Sequence, residues 1–79
     1  MFDICLWNND YLLVGCKEDH LIKLIDLRLN KVIKNFSGHE DNVTTIRKIS
    51  HPKYGECLIS KGGYKDKFKL WINKNVIFN

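Results

Sequence analysis

Residues 21–43 read LIKLIDLRLNKVIKNFSGHEDNV, and the order of residue types along that stretch decides the fold. Positions 21–27 form an apolar, β-branched run of the kind that suits a largely buried strand. Residues 28–31 are polar and make a connection. Residues 32–36 form a shorter strand rich in lysine, as at the edge of a sheet. Residues 37–42, Ser-Gly-His-Glu-Asp-Asn, break the pattern with turn formers, and Val43 opens a further strand. The stretch is the end of one group of strands and the beginning of another.

Toward the N-terminus, Phe2, Ile4 and Leu6 alternate with Asp3, Cys5 and Trp7, the period-two pattern of a strand, and Asn8, Asn9 and Asp10 supply a polar turn. A second strand is expected over 11–16, with a compact charged turn over 17–20. Toward the C-terminus the same order returns. Val43, Ile46 and Ile49 mark a strand, 51–56 a loop, 57–60 a strand, 61–66 a glycine-containing turn, and 67–71 a strand of alternating apolar and charged residues. An eighth strand is expected over 75–78. Laid over one another, the halves match Ile4 to Ile46 at an offset of 42 and Ile25 to Trp71 at 46, the difference being assigned mostly to a longer loop before Cys57. A repeat of about 40–45 residues holding four short strands has the spacing of β-propeller blades. Leucine-rich, ankyrin and tetratricopeptide repeats are shorter, and the last two need helices. The expected fold is all-β, two four-stranded antiparallel propeller blades, the first over 1–36 and truncated at its start, the second over 37–79.

Composition agrees. Alanine and glutamine are absent and methionine occurs only at position 1, which removes favoured helix formers, while isoleucine, valine, leucine and nine aromatic residues favour strands. With 44% apolar and 28% charged residues the chain is of folding rather than disordered type. Its 79 residues enclose a modest core and little room for a deep substrate cleft, which argues against a self-contained enzyme. The longest apolar runs, such as 11–16, fall far short of the roughly 20 residues needed to cross a bilayer. No basic segment leads an apolar stretch at the N-terminus, so an intracellular protein, cytoplasmic or nuclear, is expected. Cys5, Cys16 and Cys57 are odd in number and widely spaced, without a Cys-x-x-Cys pair or zinc-type histidine spacing. Free, mostly buried thiols are expected, with a redox or metal role as the alternative; no cofactor is expected.

The net charge of +4 is unevenly placed. Residues 1–42 carry five basic and seven acidic side chains, a balance of −2, whereas residues 43–79 carry eight and two, a balance of +6. Such a field attracts an acidic protein or phosphate. The lysines nevertheless accompany many asparagines and isoleucines, and a gene rich in adenine and thymine is the plainer explanation. No ribonucleoprotein motif or recognition-helix pattern points to nucleic acid.

The residues at the repeat boundaries carry a family resemblance. Gly38-His39 ahead of a strand, followed by Ser60, Asp66 and Trp71, resembles the glycine-histidine to tryptophan-aspartate signature of the WD-repeat family, and residues 21–43 are similar to the end of one WD repeat running through its outer strand into the next. The resemblance covers nearly the whole chain, and its specificity comes from the position of the Gly-His pair between two four-strand units in phase with the repeat. In that family the loop histidine, a serine or threonine of the second strand, a turn aspartate and the third-strand tryptophan form a hydrogen-bonded chain. Carried over, these are His39, Ser60, Asp66 and Trp71. Such groups, once buried, need partners, and these four can satisfy one another. The same histidine, serine and aspartate also suit a nucleophilic triad, but that chemistry needs a pocket and an oxyanion hole, and no Gly-x-Ser-x-Gly turn accompanies them. No catalytic residue is expected.

The first repeat departs from the pattern. It keeps Asp19 and Asp26, but Ile25 replaces the tryptophan and no Gly-His precedes Phe2, so its polar network is not expected to form, and Ile4, Leu13, Ile22 and Leu24 should hold it by apolar packing. In the second, Ile72 follows Trp71 where the family has aspartate, and the 61–66 turn differs from the commonest spacing around Asp66. The resemblance implies a rigid, non-catalytic platform for protein or peptide partners. In the family arrangement the interblade loop and the turn between second and third strands share one rim, which makes Glu40, Asp41, Asn42, Lys61, Tyr64 and Lys65 candidate partner contacts. Two blades cannot close a ring of about four to eight, so further blades in cis or homo-oligomeric copies are expected to complete it. The alternative is a small basic β-domain that binds nucleic acid or anionic lipid head groups through its +6 half, with steep salt dependence.

Overall fold

Alternating apolar and polar side chains, broken by turn formers, give seven strands: β1 (Asp3–Leu6), β2 (Tyr11–Gly15), β3 (Ile22–Asp26), β4 (Lys31–Phe36), β5 (Thr45–His51), β6 (Gly55–Lys61) and β7 (Phe68–Ile72). They are seen in a computed structural model that describes residues 3–64, 66–72 and 76. Over those residues the chain is all-β, without an α-helix. Consecutive strands pair antiparallel, as short turns dictate, into a four-stranded sheet β1-β2-β3-β4 and a three-stranded sheet β5-β6-β7, neither of them closed on itself. The strand expected over 75–78 lies outside the described residues apart from Val76, which is buried.

The two sheets have one register. Ile4 pairs with Val14 and Val14 with Lys23; Ile46 pairs with Ser60 and Ser60 with Lys69. The same match links Cys5, Leu13 and Leu24 to Arg47, Ile59 and Leu70, and Leu6, Leu12 and Ile25 to Lys48, Leu58 and Trp71. First strands are thus offset by 42 positions and the next two by 46. The extra residues do not enlarge a loop over 51–56, as the sequence suggested. They lengthen the β5–β6 hairpin, which gains the pairs Ser50 with Glu56 and His51 with Gly55 and turns over 52–54. The His51 imidazole explains this: its Nδ1 accepts the N–H groups of Lys53 and Tyr54 at 3.0 and 3.3 Å, so the side chain supplies the turn's hydrogen bonding and the ladder continues to its edge.

Strand geometry sends alternate side chains to opposite faces. Leu13, Ile22, Leu24 and Phe36 of the first sheet join Val43, Ile46 and Leu58 in one buried cluster, against which Trp71 packs. Each fully buried leucine or isoleucine contributes about 1.5–3 kcal/mol. A Cβ on Gly15 would stand 2.9 Å from Val43 Cγ1 and 3.5 Å from Ile46 Cγ2, so the sheets meet where a side chain is missing. The Phe36 and Trp71 rings meet edge-on at 5.4 Å. Polar groups tie the same junction. Asp3 Oδ2 accepts the Ile46 N–H and the Arg47 guanidinium, both at 2.9 Å, and Lys48 donates to the Trp7 carbonyl while pairing with Glu56 at 2.7 Å.

One expectation for the first sheet is corrected. Leu13, Ile22 and Leu24 are buried, but Ile4 is 52% exposed, because the register puts it on the face opposite Leu13. Beside this apolar packing the sheet has a polar cluster of another kind. Asp26 is buried, accepts the N–H groups of Arg28 and Leu29 at 2.9 and 3.3 Å, and pairs with the Arg28 guanidinium at 3.1 Å, which also donates to the Tyr11 hydroxyl at 3.2 Å. The Asp26–Arg28 spacing lets one carboxylate cap the β3–β4 turn and neutralise the arginine beside it.

Candidate functional site

Two loops lie side by side at one end of the second sheet because a single carboxylate binds both. Asp66, in the β6–β7 turn, accepts the Glu40 N–H at 3.0 and 3.1 Å through its two oxygens and the Asp41 N–H at 2.9 Å. A side chain at Gly62 would overlap the Asp66 carboxylate, so glycine there lets the turn fold over it. The Lys61 ammonium donates to the carbonyls of Gly62, Gly63 and Asp66 at 3.3, 3.1 and 2.8 Å, closing the turn from within. Thr44 completes the staple: its hydroxyl donates to the Lys61 and Gly62 carbonyls at 3.2 and 3.1 Å.

Below the loops runs a chain of side-chain hydrogen bonds. His39 Nδ1 lies 3.3 Å from Asp66 Oδ2, His39 Nε2 lies 2.7 Å from Ser60 Oγ, and the Trp71 indole N–H donates to the same Ser60 oxygen at 2.9 Å. The protons follow from chemistry. An ionised carboxylate only accepts, so Nδ1 carries the proton; Nε2 then accepts the Ser60 O–H, whose oxygen accepts from Trp71. Burial pushes the His39 pKa below the ordinary histidine value, against the pull of Asp66. A proton on Nε2 would also take away the acceptor of the Ser60 hydroxyl. For Asp66 burial acts to raise the pKa, but the Glu40 and Asp41 N–H groups and His39 outweigh it and hold the carboxyl below its usual range.

Asp66, His39 and Ser60 are connected as in a nucleophilic triad. Its serine is enclosed. Ser60 is 1% exposed and its oxygen is engaged by the indole. The depressions nearby are shallow, one of about 230 Å³ lined by Gly38, Glu40, Asp66, Lys67 and Lys69 and one of about 320 Å³ beside Trp71. Such volumes lie around the lower bound of ligand pockets, about 300 Å³. What the four residues can do is couple the loops rigidly to the sheet.

The candidate contact residues divide into two kinds. Glu40 is exposed and Tyr64 is 97% exposed on the rim, while Asp41, Asn42 and Lys61 are half-buried and build it; the Asp41 carboxylate accepts the Asn42 N–H at 2.7 Å. Lys65 lies outside the described residues. Thr44, Lys67 and Lys69 belong to the rim as well, and their only signal in the sequence was proximity to the two loops. The thiols are free, Cys57 buried and Cys5 and Cys16 half-buried, and burial pushes the pKa of Cys5 and of Cys16 up. Among the described residues no three histidine, cysteine or acidic side chains converge to hold a metal, and no helix is long and apolar enough to cross a membrane. No protein-family model matches the chain, and no curated protein or solved structure matches it.

Proposed function

We propose that the chain is a non-catalytic scaffold of the WD-repeat type, two blades of a larger β-propeller, whose rim over 38–42, 62–64 and 66 presents a fixed surface to a protein or peptide partner. The observation that carries this is the Asp66 clamp, which holds the backbone of Glu40 and Asp41 against the β6–β7 turn. A rim already ordered loses little conformational entropy on binding, and Tyr64 offers an exposed aromatic ring of the type enriched at binding hot spots. The shared register of the two sheets supports the blade assignment, as does the His39–Ser60–Trp71 chain. The buried Ser60 supports the absence of nucleophilic chemistry.

Selection of a displayed random-peptide library on the immobilised chain tests this. Selected peptides should lose about tenfold or more in affinity, roughly 1.4 kcal/mol, to the double variant Glu40→Ala/Tyr64→Ala at an unchanged melting temperature. Peptides indifferent to that variant would discard the rim. A single-stranded oligonucleotide that bound tightly, with affinity falling steeply as salt rose, would favour phosphate recognition by the basic half instead.

A further inference from the structure

The loop over 37–42 reaches into the protein through one side chain. Ser37, Gly38 and Glu40 are exposed and Asp41 and Asn42 half-buried, whereas His39 is buried, its side chain 1% exposed. The ring meets Asp66 of the β6–β7 turn at Nδ1 and Ser60 of β6 at Nε2, and the Ser60 oxygen passes the chain on to the Trp71 indole of β7. Because Nε2 accepts the Ser60 proton, this chain fits only the neutral ring. A proton on Nε2 would point three donors at one oxygen. The Ser60 oxygen can accept from the imidazolium and the indole, but its own proton then has no acceptor in a site closed to water. The charges around the ring divide. Burial opposes a second proton and Asp66 favours it; the ammonium groups of Lys69 on β7 and Lys61 on β6 oppose it as well. On the loop itself stand Glu40 and Asp41, whose N–H groups Asp66 accepts.

We infer that His39 is a proton-sensitive latch between the rim and the second sheet: a second proton on its imidazole parts the ring from Ser60, and the 37–42 loop loosens from the β6–β7 turn. The imidazolium regains water by leaving the pocket, and no other side chain of 37–42 is buried to hold the loop down. Burial sets the order of events, since it keeps the folded His39 pKa below 6.5, while Asp66, held below 3.8, is still ionised when the histidine takes up its proton. For a partner that recognises the ordered rim, proton uptake and binding exclude each other. The share of affinity tied to His39 is whole above about pH 6.5 and falls about tenfold per pH unit below the folded value. The effect on a partner rests on the rim as its binding surface; the latch itself does not.

Hydrogen exchange followed by nuclear magnetic resonance on the full chain, between about pH 7.5 and about pH 4.5, tests the latch with no partner present. Protection of the Glu40 and Asp41 N–H groups and of the Trp71 indole N–H should fall about tenfold or more, with the midpoint at which the His39 ring resonances titrate. The N–H groups of the β5–β6 ladder should keep their protection. His39→Gln retains a donor for Asp66 and an acceptor for Ser60 without a titrating group, and its rim protection should not change with pH; His20 and His51 remain in it as controls. Rim protection indifferent to the His39 titration would overturn the inference, as would a ladder that opened together with the rim or a His39→Gln chain that lost protection as wild type does. The coincidence of midpoints in wild type decides the matter even where the variant is unstable. Peptides selected on the immobilised chain should weaken with the same midpoint. Rim groups that titrate with His39 while those peptides bind alike across the range would keep the latch and remove the rim as their site; peptides lost to Glu40→Ala/Tyr64→Ala, with rim protection indifferent to pH, would do the reverse.

Discussion

The first and second sheets follow one register and hold themselves together by different chemistry. In the first, the third strand ends Ile25-Asp26, and the buried Asp26 binds the following turn and Arg28. In the second, Trp71 occupies the position of Ile25, and its indole feeds a chain through Ser60 and His39 to Asp66. Where a polar group sits therefore differs between the halves while the ladder does not. Ladder geometry depends on alternation and turn placement, whereas a side-chain network needs a loop that delivers its members, and only the loop over 37–44 delivers His39. Burial differs as well. Ile46 is fully buried and its counterpart Ile4 is exposed, because the junction uses opposite faces of the two sheets.

The sharpest break in that comparison should come from the core. Leu13→Ala removes a fully buried side chain and should cost about 2–5 kcal/mol in urea unfolding. At the equivalent position Ile59→Ala should cost less than half as much, Ile59 being only partly buried. Equal losses would mean that the equivalent faces are covered alike in solution.

Next in size is the hydroxyl. Ser60→Ala leaves the Trp71 N–H without its acceptor and His39 Nε2 without its donor, which should cost about 1–3 kcal/mol in the same measurement. Val14 holds the equivalent place in the first sheet with no hydroxyl to lose, and Val14→Ala should cost less. The reverse order would show that the network contributes little.

The smallest effect is that of acid, and it separates the sheets by pH. The folded His39 pKa is depressed below 6.5, so the unfolded chain binds that proton more readily; the stability tied to His39 is whole above about pH 6.5 and is lost as pH falls through the folded value. Asp66 and Asp26 are held below 3.8, and what they contribute is lost only at still lower pH. The urea midpoint should therefore begin to fall just below pH 6.5, and His39→Gln should flatten that first decline while leaving the carboxylate region. An unaltered decline in the variant would assign it to another group.

Much of this was legible in the residues. The period-two runs and the polar breaks located seven strands, and the offsets of 42 and 46 anticipated the common register. His39, Ser60, Asp66 and Trp71 were named through the family resemblance, and hydrogen bonds join Asp66 to His39, His39 to Ser60 and Ser60 to Trp71. The hairpin extension past Ser50 was not legible, since a histidine accepting two turn N–H groups looks like any loop histidine. Nor were the Asp3 tie to Ile46 and Arg47, the Lys48 tie to Trp7, or the Lys61 staple, which join residues that no strand pattern brings together.

Sequence alone determined where the seven strands lie and the offset between the halves, because alternation and turn chemistry act over a few neighbouring residues. Tertiary structure decided which face of each strand is covered. Leu12 beside Leu13 and Leu24 beside Ile25 place apolar groups on both sides of the same strands, so the period cannot choose between them. The choice falls to the close approach at Gly15, where the second sheet brings Val43 and Ile46 against Leu13's side and leaves Ile4's side open.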